Sequence, residues 1–218
     1  MSPVLKSTPT PVSGLVRGAR SSGVLRGETL ETGMKVGLFG GTFDPPHAGH
    51  LHVARTAMRR LGLDRIWWLV SPQNPLKRRT ADDLERRMAA VRTLANEPGM
   101  VVTDIESRLG IRHTAKLLRA ITALHPRNPF VWIMGADNLA SIHRWHDWTE
   151  IVETVPLAVI ARPQDPVRAR LSLMASRYRT SRLREADAKV LPLKMAPAWT
   201  YLIEPLQSDS STQLRTER

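Results

Sequence analysis

The 218-residue chain contains no cysteine, and that removes two classes of architecture at once. Neither a disulfide framework nor a thiolate zinc site can form, so any metal must bind through oxygen or imidazole. A reducing compartment fits, and a cytoplasmic location is expected. Long hydrophobic runs are also missing. The longest apolar stretches span about five to seven residues, against the roughly 20 needed to cross a bilayer, so no transmembrane helix and no membrane partner are expected. Aromatic residues are scarce at 5%, which makes any local concentration of them informative. Acidic residues are outnumbered, 20 against 32 basic, and the net charge of +12 creates a field that attracts phosphate-bearing partners. Because the basic excess is spread without dense runs, composition alone does not separate a nucleic-acid binder from an enzyme that uses nucleotides. At 42% apolar and 24% charged, the chain is neither disordered nor fibrous and can bury one sizeable core.

Residues 1–33 are rich in Ser, Thr, Pro, Gly and Arg without a sustained apolar period, and read as a disordered extension outside the fold. They hold four basic and two acidic residues, so +10 of the charge belongs to the single domain expected over residues 34–218. No apolar stretch of signal-peptide length follows the basic positions. From Met34 short apolar runs alternate with helical periodicity, which predicts an α/β fold with a doubly wound, mostly parallel sheet. The expected strands are Lys35–Phe39, Arg65–Val70, Met100–Asp104, Phe130–Met134, Leu157–Ala161 and Thr200–Ile203. Helices are expected at Ala48–Leu61, Ala81–Asn96, Thr114–Leu124 and Trp148–Glu153. In such sheets ligands bind outside the carboxyl ends of the strands.

Directly after the first expected strand comes Gly40-Gly41-Thr42-Phe43-Asp44-Pro45-Pro46-His47-Ala48-Gly49-His50. Paired glycines permit positive φ angles and close backbone approach, which lets Gly40, Gly41, Thr42 and Phe43 face an anion with peptide N–H groups at the start of a helix. His47 and His50, three apart, share one helical face and can converge on one phosphoryl group, with Gly49 leaving room beside them. A third imidazole, His52, points away at a two-residue offset, so no metal site is assigned. The spacing is not that of a dinucleotide fingerprint.

The stretch GGTFDPPHAGH resembles the signature of H-x-G-H nucleotidyltransferases, and specifically of bacterial nicotinate-nucleotide adenylyltransferases. The resemblance covers nearly all of residues 34–215 and implies a Rossmann-like nucleotidyltransferase fold. It also implies transfer of the adenylyl group of ATP to nicotinate mononucleotide in NAD biosynthesis, with nicotinate adenine dinucleotide and pyrophosphate as products.

Later motifs extend it. Ser71-Pro72-Gln73-Asn74-Pro75-Leu76-Lys77 is a proline-broken loop suited to covering a polyanion, and the resemblance makes Asn74 and Lys77 acceptor contacts. Gly135-Ala136-Asp137 follows the fourth strand. A carboxylate there can hold paired ribose hydroxyls or cap a helix, and the resemblance favours the adenosine ribose for Gly135 and Asp137. Trp145 and Trp148, three apart among His143, Arg144 and His146, put at least one large ring in a groove where it can stack on a base, with Trp148 read as core. In the family the tryptophan matching Trp145 stacks on the pyridine ring, and backbone amides matching Thr114 and His146 hold the nicotinate carboxylate. Arg162 resembles the arginine near the adenine. Ser210-Ser211-Thr212-Gln213-Leu214-Arg215 resembles the motif that meets the ATP phosphates.

The acceptor phosphate is itself an anionic nucleophile, so the chemistry reduces to positioning and charge neutralisation, with magnesium brought by ATP and no covalent intermediate. The chain departs from the family pattern at His113, where an aromatic is common, and at Asp209, where an apolar residue is. The arginine-rich segment 168–184 matches no motif and reads as a solvated helical face. Two alternatives stay open: adenylyl transfer to nicotinamide mononucleotide or phosphopantetheine, and a basic RNA-binding domain. Homo-oligomerisation is left open as well.

Overall fold

The computed structural model describes residues 28–72, 83–161 and 169–204. Seven strands form one sheet: β1 (Val36–Gly41), β2 (Arg65–Val70), β3 (Met100–Thr103), β4 (Phe130–Gly135), β5 (Leu157–Ala161), β6 (Arg182–Leu183) and β7 (Trp199–Ile203). Their spatial order is β3-β2-β1-β4-β5-β7-β6, and every pairing is parallel. The strands read as near-continuous apolar runs because both faces of the sheet are covered. Along β2, Trp67 and Leu69 join one core while Ile66, Trp68 and Val70 join the other, and β4 and β5 alternate in the same way.

The first core lies under α3 (Ile105–Arg108), α4 (Thr114–Leu124), α5 (Ala136–Ser141), α6 (Trp148–Thr154) and α7 (Leu173–Arg177). The second lies under α1 (Ala48–Leu61) and α2 (Leu84–Leu94), with Ala188 and Leu191 from a 3-10 helix at Glu185–Leu193. Four of the six tryptophans, Trp67, Trp68, Trp132 and Trp199, are fully buried on the sheet. The few aromatics of the sequence are thus concentrated in the core.

Sheet order decides where a ligand can sit. β1 continues through α1 to β2 on one side, whereas β4 returns to the other side of β1. A crevice therefore opens at the carboxyl ends of β1 and β4, where the direction of winding reverses.

Two sequence expectations need correction. Residues 28–33, expected to lie in an extension outside the fold, belong to it: Glu28 is fully buried and Leu30 packs on the first core. The Glu28 carboxylate accepts from Thr103 Oγ1 and from Arg108 Nη2. Asn128 Nδ2 donates to the carbonyls of Glu31 at 2.7 Å and Met34 at 3.1 Å. Nor is 168–184 one solvated helical face. In its described part the five-residue α7, a 3-10 turn at Arg179–Ser181 and β6 follow one another. The guanidinium of Arg182 lies 5.2 Å from the ring of Trp199, and that of Arg177 lies 5.7 Å from Trp148.

Candidate active site

The glycine pair continues β1. Gly40 pairs with Leu69 and Gly41 with Val70, and neither has positive φ, so the φ freedom that the pair permits is not used at either position. The need for glycine at 40 is close approach, since a Cβ there would land on the indole of Trp132 in β4. Positive φ falls instead on Phe43, at 47°. The Phe43 ring is buried between Trp68, centroids 5.2 Å apart, and His50, centroids 5.1 Å apart. That packing fixes the His50 imidazole from one side.

His47 and His50 converge as expected, with centroids 3.9 Å apart, but not both from within the helix. His47 is the N-cap of α1, in extended backbone. Its Nδ1 accepts from the N–H of Gly49 at 3.1 Å, and its own N–H donates to Nδ1 of His50 at 3.2 Å. This is a capping box made with imidazoles. The arrangement has a chemical consequence: with both Nδ1 atoms accepting, the proton of each neutral ring sits on Nε2. Two N–H donors stand together at a helix N-terminus, where the dipole favours an anion.

A cavity of about 310 Å³ opens beside this motif at the switch point. Gly40, Gly41 and Thr42 form one wall, with Trp132 and Asn138 of the β4 side nearby. Thr114, Trp145 and His146 line it too, together with Ser71, Glu106, Arg112, His113 and Arg144. Trp145 is half-buried and meets Trp132 edge to face at 6.4 Å, leaving the indole at the cavity. Thr114 opens α4, whose N-cap His113 makes no side-chain cap, so the first turn of that helix keeps donors for an anion. The rings of His113 and His146 stack, centroids 4.3 Å apart, and His146 Nδ1 lies 2.8 Å from Asp147 Oδ2.

Asp137 sits at the second position of α5 and is exposed. The N-cap is Gly135 and no side-chain cap bond forms, so the capping alternative for Asp137 is not what the fold uses. Gly135 makes room for it, because a Cβ there would stand 2.5 Å from Asp137 Oδ1. Phe43, His47, His50, Gly135 and Asp137 are not part of the cavity lining itself. Asn74, Lys77, Arg162, Ser210, Ser211, Thr212 and Arg215 lie outside the described residues.

A cytidylyltransferase-like family model matches residues 38–217. A Caulobacter sp. protein and a Parvibaculum lavamentivorans protein, each named "Probable nicotinate-nucleotide adenylyltransferase", are 52% and 50% identical to this chain. The first match covers 84% of this chain and 97% of the relative, the second 87% and 95%. A Ruegeria pomeroyi protein of the same name is 50% identical over 84% of this chain and 86% of its own length. The chain belongs to the nicotinate-nucleotide adenylyltransferase family. The fold of a Plasmodium falciparum nicotinic acid mononucleotide adenylyltransferase, solved in complex with NaAD, agrees at a TM-score of 0.58. That match covers 84% of this chain and 83% of the other at 18% identity.

Two residues of this family member stand in the site without belonging to any motif of the sequence. Arg87 is buried in α2 and donates from Nη1 to the carbonyls of Thr42 at 2.6 Å and Ser71 at 2.8 Å, and from Nη2 to that of Pro72 at 3.0 Å. It ties the loops after β1 and β2 to one helix. A signal was present, because Arg87 occupies the apolar stripe of Leu84, Met88 and Val91. Glu106 is buried in the cavity wall, where Ser71 Oγ donates to its Oε2 at 2.5 Å. Burial pushes its carboxyl up to about 7, against the opposing hydrogen bond from Ser71. Nothing in the sequence marks Glu106, since its helix has only four residues.

Proposed function

We propose that the protein transfers the adenylyl group of ATP to nicotinate mononucleotide, releasing pyrophosphate and forming nicotinate adenine dinucleotide. The observation that carries this reading is the pair of imidazoles locked by their Nδ1 atoms beside a cavity at the switch point. A phosphate oxygen of the mononucleotide attacks the α-phosphorus of ATP in line. The new P–O bond forms as the bond to the β-phosphate oxygen breaks, and the electron pair leaves with pyrophosphate. No enzyme nucleophile is needed, because the acceptor already carries negative charge.

His47 and His50 donate from Nε2 to the α-phosphoryl oxygens as charge builds there, with help from the amides of Gly41, Thr42 and Phe43 and from Gly40 beside them. Gly135 and Asp137 hold the adenosine ribose. Trp145 stacks on the pyridine ring, and the amides of Thr114 and His146 take the nicotinate carboxylate. By resemblance Asn74 and Lys77 contact the acceptor, Arg162 lies by the adenine, and Ser210, Ser211, Thr212 and Arg215 meet the ATP phosphates.

ATP enters as its magnesium complex. In this reading the phosphate oxygens of ATP carry the ion. No helix among the described residues is long and apolar enough to cross a membrane, and we place the reaction in the cytoplasm. Incubation of the purified protein with magnesium ATP and nicotinate mononucleotide tests the reading. Stoichiometric pyrophosphate and dinucleotide are expected, and no product from this pair would overturn it.

A further inference from the structure

We infer that the guanidinium groups of Arg112 and Arg144 select an acceptor that carries a ring carboxylate over one that carries a neutral carboxamide. This rests on the adenylyl-transfer reading above and names the side chains that set its acceptor class.

The two arginines approach one cavity from separate elements. Arg112 lies two residues before α4, and Arg144 closes the 3-10 turn at Ile142–Arg144; both line the cavity. The rings of His113 and His146 stack with centroids 4.3 Å apart, which brings together the two segments that carry these arginines. Neither arginine has an acidic partner among the described residues, although most of the salt bridges seen elsewhere in the fold involve arginine. A surface arginine without a carboxylate is ordinary, but two of them facing one cavity leave a local excess of positive charge.

The opposing charge is small. Of the described residues lining the cavity Glu106 is the only acid, and burial raises its carboxyl to about 7, so it is only partly ionised near neutral pH. Asp147 is engaged with His146 at 2.8 Å. The lining is therefore net positive where the pyridine ring is to stack on Trp145.

Backbone amides at Thr114 and His146 fix the position of the ring substituent, but they carry no net charge. A carboxylate and a carboxamide have nearly the same shape and differ by a full negative charge, and full cations read that difference at longer range. Both side chains are exposed, so the attraction is screened by water and salt and the selection is moderate.

The test is the ratio of kcat/KM for nicotinate mononucleotide to kcat/KM for nicotinamide mononucleotide, measured in the full chain. Replacing both arginines by glutamine (R112Q/R144Q) lowers this ratio roughly five- to twentyfold, whereas R112K/R144K keeps most of it. In the wild type the ratio also falls between about 0.05 and 0.5 M salt. An unchanged ratio in the glutamine variant overturns the inference. The same holds where both acceptors lose alike, because the arginines would then serve the phosphate that the two acceptors share. A wild type that uses both acceptors equally overturns it too, while a wild type that uses neither overturns the adenylyl-transfer reading instead.

Discussion

Ser71 Oγ donates to Glu106 Oε2 at 2.5 Å, joining the loop after β2 to the turn after β3 inside the cavity wall. Burial dominates the state of this carboxyl and raises it from 4.5 to about 7. The folded protein therefore holds a proton that the unfolded chain releases between those two values, and stability falls as pH rises through that window. A shift of this size corresponds to about 3 kcal/mol at most. Glu106→Gln keeps an acceptor for Ser71 and removes the charge. Urea unfolding at pH 5 and pH 8 is expected to show the wild type losing stability across the interval. The variant stays level and is the more stable protein at pH 8, by roughly 1–3 kcal/mol.

Gly40 and Trp132 face each other so closely that a methyl group at 40 displaces the indole. Gly40→Ala is expected to cost about 1–3 kcal/mol and to lower kcat/KM at least tenfold, because the strand end that forms the cavity wall moves with it. Gly41→Ala meets the ring of Phe43 at 3.1 Å and is accommodated with a smaller loss. Thermal unfolding and steady-state kinetics of the two variants check the order.

The contact of Glu28 with Thr103 and Arg108 ties the segment before β1 to α3, the short helix that carries Glu106 into the cavity wall. Arg108 keeps a second partner in Asp104 at 2.7 Å, so loss of Glu28 leaves it partly paired. Glu28→Ala is expected to destabilise the fold by roughly 1–3 kcal/mol and to raise the KM for the acceptor more than that for ATP. Equal changes in the two KM values would show that α3 does not depend on this contact.

What is legible in the sequence follows from length and burial. Arg65–Val70 and Leu157–Ala161 have the bounds expected of them because strands covered on both faces leave unbroken apolar runs. Ala48–Leu61 and Thr114–Leu124 do so because three turns suffice for a period to show. α3 and α5, with four and six residues, and the two-residue β6 are too short to carry any period. In the site, the meeting of His47 with His50 is readable from their spacing, but the capping box that sets their tautomers is not, since imidazole is not an ordinary cap. The glycine pair permits both positive φ and close approach, and the sequence does not choose between them because Trp132, the residue that demands Gly40, lies 92 positions away and is adjacent only through the β1–β4 pairing. Arg112 and Arg144 give no signal, because an exposed arginine acquires meaning only from what it faces.

In the proposed reaction two Nε2 donors stabilise the transfer step, and a pair of substitutions isolates that role from folding. His47→Asn retains a good N-cap and His50→Gln retains a good third-position partner, so the capping box survives while the imidazole is lost at each position in turn. Single-turnover rates with saturating magnesium ATP and nicotinate mononucleotide are the measurement. A fall of about 10²–10³-fold is expected for either variant, with urea unfolding midpoints close to the wild type. A rate within about threefold of the wild type in either well-folded variant would contradict the role of the two imidazoles.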